Sequence, residues 1–438
     1  MQTYDVVIIG ACTAGTYFSN LLAKENLKVL VIDKDKEENL CKRLDVFHFT
    51  RDSYKQFDID ESKEGDEEFI RNFDLCYSRS ALDRHQKVSH TKVSVLHLPL
   101  FIKRLRKNAI NNGVDFRFNE SFKDLIYENN KIVGIKTTSG LKIGAKLVVD
   151  ASGISSVVRK KINSEYMETF DIGPKDMFYV LLKYVNLKDN NKVELSTSWP
   201  YFKGWIAPQH NSNGAIIGVG ANLSYDYARK CMKKFEDNIK LPPYELEYEE
   251  IGCTPYRRPP YSFVSDNFMV IGDAACITKP WNGEGVPANF VLCTSAAKIV
   301  SDTIKNTNDA KVQDLWKINE LYQKGEGADY ASTRAMLIGA VNMEKEDNDY
   351  LFKHNIVFKS DDEQENPHMI KTLIKGVFKK EFSFRALMSL ASSFSKANKI
   401  KRHYLNYPTE PNKYLKWKKK ADTLWKKAGS MADSIKDA

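Results

Sequence analysis

The sequence predicts an α/β protein in three parts, and three observations predict it. Three unalternating apolar runs, at residues 6–9, 147–149 and 268–271, each lead into a glycine turn, as strands of a parallel sheet buried on both faces do. Between the second and third, residues 178–249 contain segments that alternate apolar and polar positions, the period of half-buried strands. Beyond Asp314 the pattern is helical. The parts are a Rossmann-type domain made of residues 1–163 and 251–305, an inserted β-rich domain of residues 164–250, and a C-terminal helical region of residues 306–438 with a basic aromatic tail. A chain of 438 residues can fill two or three cores.

The first unit carries the sharpest signal. Val6-Val7-Ile8-Ile9 stops at Gly10, and Gly10-Ala11-Cys12-Thr13-Ala14-Gly15 opens a helix through Tyr17, Leu21 and Leu22. The strand Val29-Leu30-Val31-Ile32 follows and ends in Asp33. In such a unit the first glycine makes the turn, the second lets backbone N–H groups approach a pyrophosphate, and the third lets helix lie on strand. A terminal carboxylate accepts hydrogen bonds from ribose hydroxyls. Cys12 stands where the second glycine is expected. Its side chain can point away if φ stays negative, but the closest backbone approach is lost.

An irregular stretch with Cys41-Lys42-Arg43 comes next. Residues 102–112 read as a helix, and 113–118 begin a strand. Residues 123–127, 131–137 and 141–143 read as a meander with turns at Asn129-Asn130 and Ser139-Gly140. The chain then returns to a buried strand ending at Asp150 and a second turn at Ser152-Gly153. In the inserted part, residues 179–184, 193–198 and 215–219 read as strands. The third buried run ends in Gly272-Asp273-Ala274-Ala275, and Asn282-Gly283-Glu284-Gly285 precedes a long helix with Val291, Leu292, Ala296, Ile299 and Val300 on its apolar stripe. Residues 360–367, acidic and polar, read as a linker.

Composition narrows the function classes. Apolar content of 42% and charged content of 28% suit a soluble globular protein. No run approaches the ~18 apolar residues of a membrane span, and no signal peptide precedes the first strand, so a cytoplasmic location is expected. Seven scattered cysteines without a C-x-x-C pair argue against a disulfide framework, a metal site, an iron–sulfur cluster and a dithiol reductase. The net charge of +9 is mild, but ten basic residues between Lys399 and Lys427 face only Glu410 and Asp422. Tyr404, Tyr407, Tyr414, Trp417 and Trp425 are interleaved with them. Two readings stay open for residues 399–427: a solvated helical face packed by its tryptophans, or contact with the inner face of an anionic membrane. No nucleic-acid partner is expected, because no stacking or groove-reading module accompanies the charge.

Three blocks in this order carry a resemblance: the N-terminal turn; Val149-Asp150-Ala151-Ser152-Gly153 with Ser156 and Arg159 behind it; and Gly272-Asp273-Ala274-Ala275 followed by Pro280 and Gly283-Glu284-Gly285. Together they resemble the geranylgeranyl reductase family of FAD-dependent oxidoreductases, flavoproteins of the p-hydroxybenzoate hydroxylase-like fold. The resemblance makes the first part a Rossmann-type FAD-binding domain. It implies cofactor contacts at Gly10, Cys12, Ala14, Gly15, Thr16, Asp33, Lys34, Arg43, Phe122, Ala151, Gly153, Gly272, Asp273, Gly283, Gly285 and Val286. Asp273 would hold ribityl hydroxyls, and the N–H groups of Gly283, Gly285 and Val286 would face the flavin N1–C2=O edge.

Tyr201-Phe202-Lys203-Gly204-Trp205-Ile206-Ala207-Pro208, with Gly218-Val219-Gly220 beyond, is similar to the family's substrate-domain signature. Lys203 and Ala207 depart from it, since aromatics stand there in the family. In the helix after the flavin domain, Asp314-Leu315-Trp316, Asn319, Tyr322 and Gly327 are similar to the family as well. The resemblance implies saturation of C=C bonds in polyprenyl chains of membrane lipids by hydride from reduced flavin N5. Trp205, Tyr201, Phe202 and Trp281 would line an apolar groove whose aromatic faces favour developing positive charge. Cys41 lies in the loop where archaeal relatives carry a cysteine facing the active site, and it either donates a proton or packs. His48 is a weaker candidate acid. A flavin-dependent monooxygenase or halogenase on the same fold, and a non-catalytic lipid-binding protein, are the competing readings. No second glycine fingerprint offers a resident nicotinamide site, so NAD(P)H would dock transiently or a ferredoxin would deliver electrons.

Overall fold

The structure is a computed structural model describing residues 1–42, 45–188, 195–198, 203–211, 213–281, 283–341 and 343–435. Arg43, Tyr201 and Phe202 lie outside the described residues.

The chain opens with β1 (Gln2–Ile9), α1 (Thr13–Lys24) and β2 (Val29–Ile32). Val6, Val7, Ile8 and the whole of β2 are fully buried, which is why both runs lack alternation. Residues 46–97, which carry no clear period, fold as β3 (Val46–Thr50), α2 (Arg51–Gln56), β4 (Phe69–Phe73), β5 (Cys76–Arg79), β6 (Gln86–Ser89) and β7 (Val93–His97). They are followed by α3 (Leu98–Asn111), β8 (Asp115–Arg117), β9 (Phe122–Glu128), β10 (Lys131–Thr137) and β11 (Lys142–Asp150). The expected third meander strand and the buried run after it are one strand, β11. Its first residues, 142–144, pair antiparallel with β10, while residues 143–150 pair parallel with β1 on the other edge.

The inserted layer consists of β12 (Met177–Leu187), β13 (Leu195–Ser198), β14 (Lys203–Pro208), β15 (Gly214–Ala221), α4 (Tyr225–Asn238) and β16 (Tyr244–Pro255). The chain then returns through β17 (Val264–Ser265) and β18 (Phe268–Val270). A largely parallel sheet in the order β17-β18-β11-β1-β2-β8 results, drawn from two separate stretches of chain. The inserted sheet runs β16-β12-β15-β14-β13-β5-β6, so the region before α3 lends it two strands. Its strands alternate as expected: Tyr179 and Leu181 of β12 pack with α4, while Phe178, Val180 and Leu182 face the other way.

Helices α5 (Val286–Thr307), α6 (Val312–Lys324), α7 (Glu326–Ala340), α8 (Lys345–Lys353), α9 (Met369–Phe378), α10 (Phe384–Leu405), α11 (Tyr414–Ala428) and α12 (Met431–Ser434) complete the chain. Residues 360–367 are not a free linker. The Asp361 N–H donates to Val88 O, and Lys87 pairs with Glu363 at 2.8 Å, tying the segment to β6.

The tail resolves in favour of packing. Tyr404, Tyr407, Tyr414 and Trp417 are buried around Tyr261 and Trp316, and Trp316 Nε1 donates to Pro408 O at 2.8 Å. These rings face the core, so they cannot serve as a membrane belt. Among the described residues no helix is long and apolar enough to cross a membrane.

Candidate functional site

Gly10 turns the chain out of β1 with φ +114°, and a Cβ there would sit 2.2 Å from Ala151 O. The first and second glycine turns are thereby pressed together. Gly15 and Thr16 lie beneath the turn. A Cβ on Gly15 would strike Gly10 O, and Thr16 Oγ1 donates to Ala11 O at 2.7 Å. Cys12 caps α1 with φ −81°, the negative value that its side chain requires. The Asp33 carboxylate accepts from the Ala11 N–H at 2.7 Å and the Asp35 N–H at 2.9 Å, which fixes it at the mouth of the turn.

Buried Asp150 organises the second turn. It accepts from the N–H groups of Ser152, Val158 and Arg159. Arg159, itself fully buried, donates through Nε to Ser156 Oγ at 2.8 Å and to Ala274 O at 3.0 Å, and Ser156 Oγ also donates to Ala274 O. This staple joins the second turn to the third, which explains why Ser156 and Arg159 follow Gly153 at that spacing.

The three turns open on one cavity of 890 Å³. Gly10, Cys12, Ala14, Asp33, Lys34, Cys41, Phe122, Ala151, Gly153, Trp205, Gly272, Asp273, Trp281, Gly283, Gly285 and Val286 all line it. The N-termini of α1 and α5 both point into it, two sets of unpaired N–H groups suited to anionic or carbonyl oxygens. Asn289 Nδ2 donates to Gly285 O, and its Oδ1 is buried without a partner. A carboxylate at one end, helix N-termini along the length and an unpaired amide oxygen at the other fit FAD.

The opposite wall is one face of the inserted sheet: Phe178, Val180, Leu182, Lys203, Trp205 and Ile216. Trp205 is paired across the strands with Gly218, and a Cβ at Gly218 would fall 2.1 Å from the indole. Phe178 stands over Gly220 in the same way, at 2.1 Å. The Gly-x-Gly of the signature is therefore the floor that lets two aromatic rings lie close against the sheet.

Three ionisable groups in the cavity lining stand out. His48 Nε2 lies 3.3 Å from Pro208 O, to which it donates as the neutral imidazole. Burial pushes its pKa down to about 4, so it is not an acid at neutral pH. Lys203 has a buried Nζ with no hydrogen-bond partner, 3.9 Å from where a Cβ on Gly283 would lie. Desolvation holds its pKa well below the ordinary lysine value, the Glu284 carboxylate opposes that shift and Arg334 adds to it. Sequence reasoning passed over Lys203, whose one signal was a cation where the family pattern has an aromatic.

Asp273 is the third. Burial raises its pKa to about 6. A carboxyl whose folded pKa exceeds its unfolded value binds more protons when native, so stability is greatest below the unfolded pKa and falls as pH rises through 6. Asp273→Asn is expected to stabilise the apoprotein by about 2 kcal/mol at pH 8, discounted for the carboxyl's partial exposure to the cavity. The gain should vanish near pH 4. Urea unfolding at both pH values checks this, and an equal gain at pH 4 would contradict it.

The cysteine pattern argued against disulfides, yet the fold pairs Cys12 with Cys41, Cα to Cα 6.4 Å across 29 residues. The loop after Asp33 folds back over the α1 turn, which spacing alone does not show. Cys41 can supply a proton only as the reduced thiol. Cys41→Ser is expected to cost the oxidised protein about 3 kcal/mol through the opened loop, and nothing in reductant. Unfolding curves with and without dithiothreitol measure it; identical curves for the unaltered chain would show the pair unbonded.

Comparison with known proteins agrees with this geometry. The FAD binding domain family matches residues 3–289. The digeranylgeranylglycerophospholipid reductase of Sulfolobus acidocaldarius is 24% identical over 447 residues, covering 96% of this chain and 97% of the relative. That of Methanococcus aeolicus is 26% identical, covering 70% and 78%. Among solved structures, a geranylgeranyl bacteriochlorophyll reductase-like protein of Thermoplasma acidophilum superposes with a TM-score of 0.74 at 18% identity, covering 90% of this chain and 100% of that one. The flavin-dependent brominase Bmp2 superposes at 0.63 with 17% identity, covering 92% and 100%. At these identities the structural likenesses show the fold.

Proposed function

The chain belongs to the FAD binding domain family and is an FAD-dependent oxidoreductase, and from that premise we propose that it saturates C=C bonds of polyprenyl chains, those of membrane lipids. The observation that carries this reading is the apolar sheet face, from Phe178 to Ile216, set across one cavity from the α5 N-terminus. FAD bound there would supply the hydride when reduced by an external donor, NAD(P)H or a ferredoxin, and the second hydrogen of each saturated bond would come as a proton from solvent. The protein's own part is positional. Phe178, Val180, Leu182 and Trp205 exclude water and hold an alkene against the sheet, and the indole face favours positive charge developing on its carbons. The Gly285 and Val286 N–H groups at the start of α5 would hold the flavin's N1–C2=O edge and Asp273 its ribityl hydroxyls, whereas the Gly283 N–H, expected at the same edge, is already given to Lys279 O. Burial disfavours the charged form of Lys203, and negative charge arriving beside Gly283 would favour it, so Lys203 Nζ would serve as the cation facing that charge.

Anaerobic incubation of the dithionite-reduced holoenzyme with a digeranylgeranyl glycerophospholipid tests the proposal. The lipid should gain two hydrogens per double bond by mass spectrometry. An unchanged lipid, with oxygen or halide incorporated in air, would overturn it in favour of monooxygenase or halogenase chemistry.

A further inference from the structure

Helix α9 and the first half of α10 carry an apolar stripe that the rest of the molecule leaves uncovered. Ile370, Ile374 and Phe378 recur every four residues along α9, and Phe378 is 85% exposed. The other side of α9 is used internally: Leu373 and Gly376 pack on Tyr350 and Phe382. On α10, Phe384 is 64% and Met388 53% exposed, while Ala386, Ser393, Ala397 and Ile400 are buried. Its inner side is locked on α7, where Ser389 Oγ donates to Gly339 O and a Cβ on Gly339 would strike Ser393. Neither helix can turn its stripe inward. Exposed contiguous apolar surface of this kind marks a docking face.

Charge identifies what it docks on. Residues 369–388, which carry the stripe, hold five basic side chains and one acidic, Glu381. Lys371, Lys375, Lys379 and Lys380 are exposed beside the stripe and have no carboxylate partner among the described residues. A two-fold contact with a second copy would set lysines against lysines. A surface that is anionic outside and apolar within satisfies both halves of the pattern.

We propose that α9 and the N-terminal half of α10 dock this protein in the plane of an anionic lipid bilayer, Ile370, Ile374, Phe378, Phe384 and Met388 entering the acyl boundary and the lysines meeting the headgroups. The location suits a lipid-fed site. Phe358 packs on the small core beneath the stripe, lines the cavity, and lies ring to ring with Trp281 at 5.6 Å. The docking face therefore replaces the 399–427 tail, whose aromatic rings are spent on the core. This inference goes beyond the reductase reading and stands without it, because adsorption needs no substrate and no turnover.

The test is flotation of the full-length holoprotein with phosphatidylglycerol or phosphatidylcholine vesicles, without substrate. The protein should partition into the anionic vesicles about tenfold or more over the zwitterionic ones, and 1 M salt should weaken but not abolish it. Phe378→Ser with Phe384→Ser should lose about tenfold or more at unchanged melting temperature, since both rings are in solvent. Lys379→Gln with Lys380→Gln should reduce anionic binding, and Lys419→Gln with Lys420→Gln should leave it within about twofold. A protein that stays with the soluble fraction overturns the proposal, as does a serine double variant that floats like the parent. Light scattering that shows a dimer, broken by the serine variant with vesicle binding unchanged, assigns the face to a second copy instead.

Discussion

Lys203→Met should make the apoprotein more stable by about 2 kcal/mol at pH 7 and the enzyme about a hundredfold slower. The stability gain follows from a buried amino group with no hydrogen-bond partner in an apolar wall, which methionine fills without the desolvation cost. Its pH dependence has a definite sign. Because the folded pKa lies below the unfolded one, the native state binds fewer protons, and the penalty is full below the folded pKa and fades as pH rises toward the unfolded value. Unfolding in urea at pH 7 and pH 10 should therefore show the gain shrinking. A gain equal at both pH values would remove Lys203 from the list of titrating groups. A stable variant with unaltered turnover would remove it from the chemistry.

Gly10→Ala is expected to abolish cofactor retention and to cost more than about 4 kcal/mol. Two effects coincide: φ of +114° excludes an L side chain, and the new methyl would enter Ala151 O at 2.2 Å. Relief requires separating β1 from β11 at the end where their turns face the cavity. Flavin absorbance of the purified variant and its melting temperature report both. Full flavin content would mean that the turn tolerates a different path.

These two positions also show what the amino-acid order could and could not disclose. Gly10, Gly153 and Gly272 are legible because each turn takes a positive φ, and at Gly10 the backbone of the next turn presses close as well, constraints local enough to leave a glycine. Lys203 was not, since its destination depends on strand register: it stands opposite Gly220 on β15 and reaches across to a loop some eighty residues later. The disulfide was hidden for the same reason, because nothing near Cys12 or Cys41 records that the intervening loop folds back. In residues 399–427 composition records the aromatics and lysines but not which face of a helix looks inward. Tertiary contacts with Tyr261 and Trp316 decided it. The α9 stripe had its four-residue period in plain sight, and only the occupied opposite face shows that it is surplus to the core.

The sheet that holds the three turns has a temporal consequence. Strand β18 pairs with β11 more than a hundred residues after β11 has been made, so on the ribosome the cofactor bed stays unfinished until the entire inserted layer has emerged. Flavin can bind only the finished bed, and mass action then makes it a stabilising ligand. Cellular abundance of this protein should accordingly track riboflavin supply.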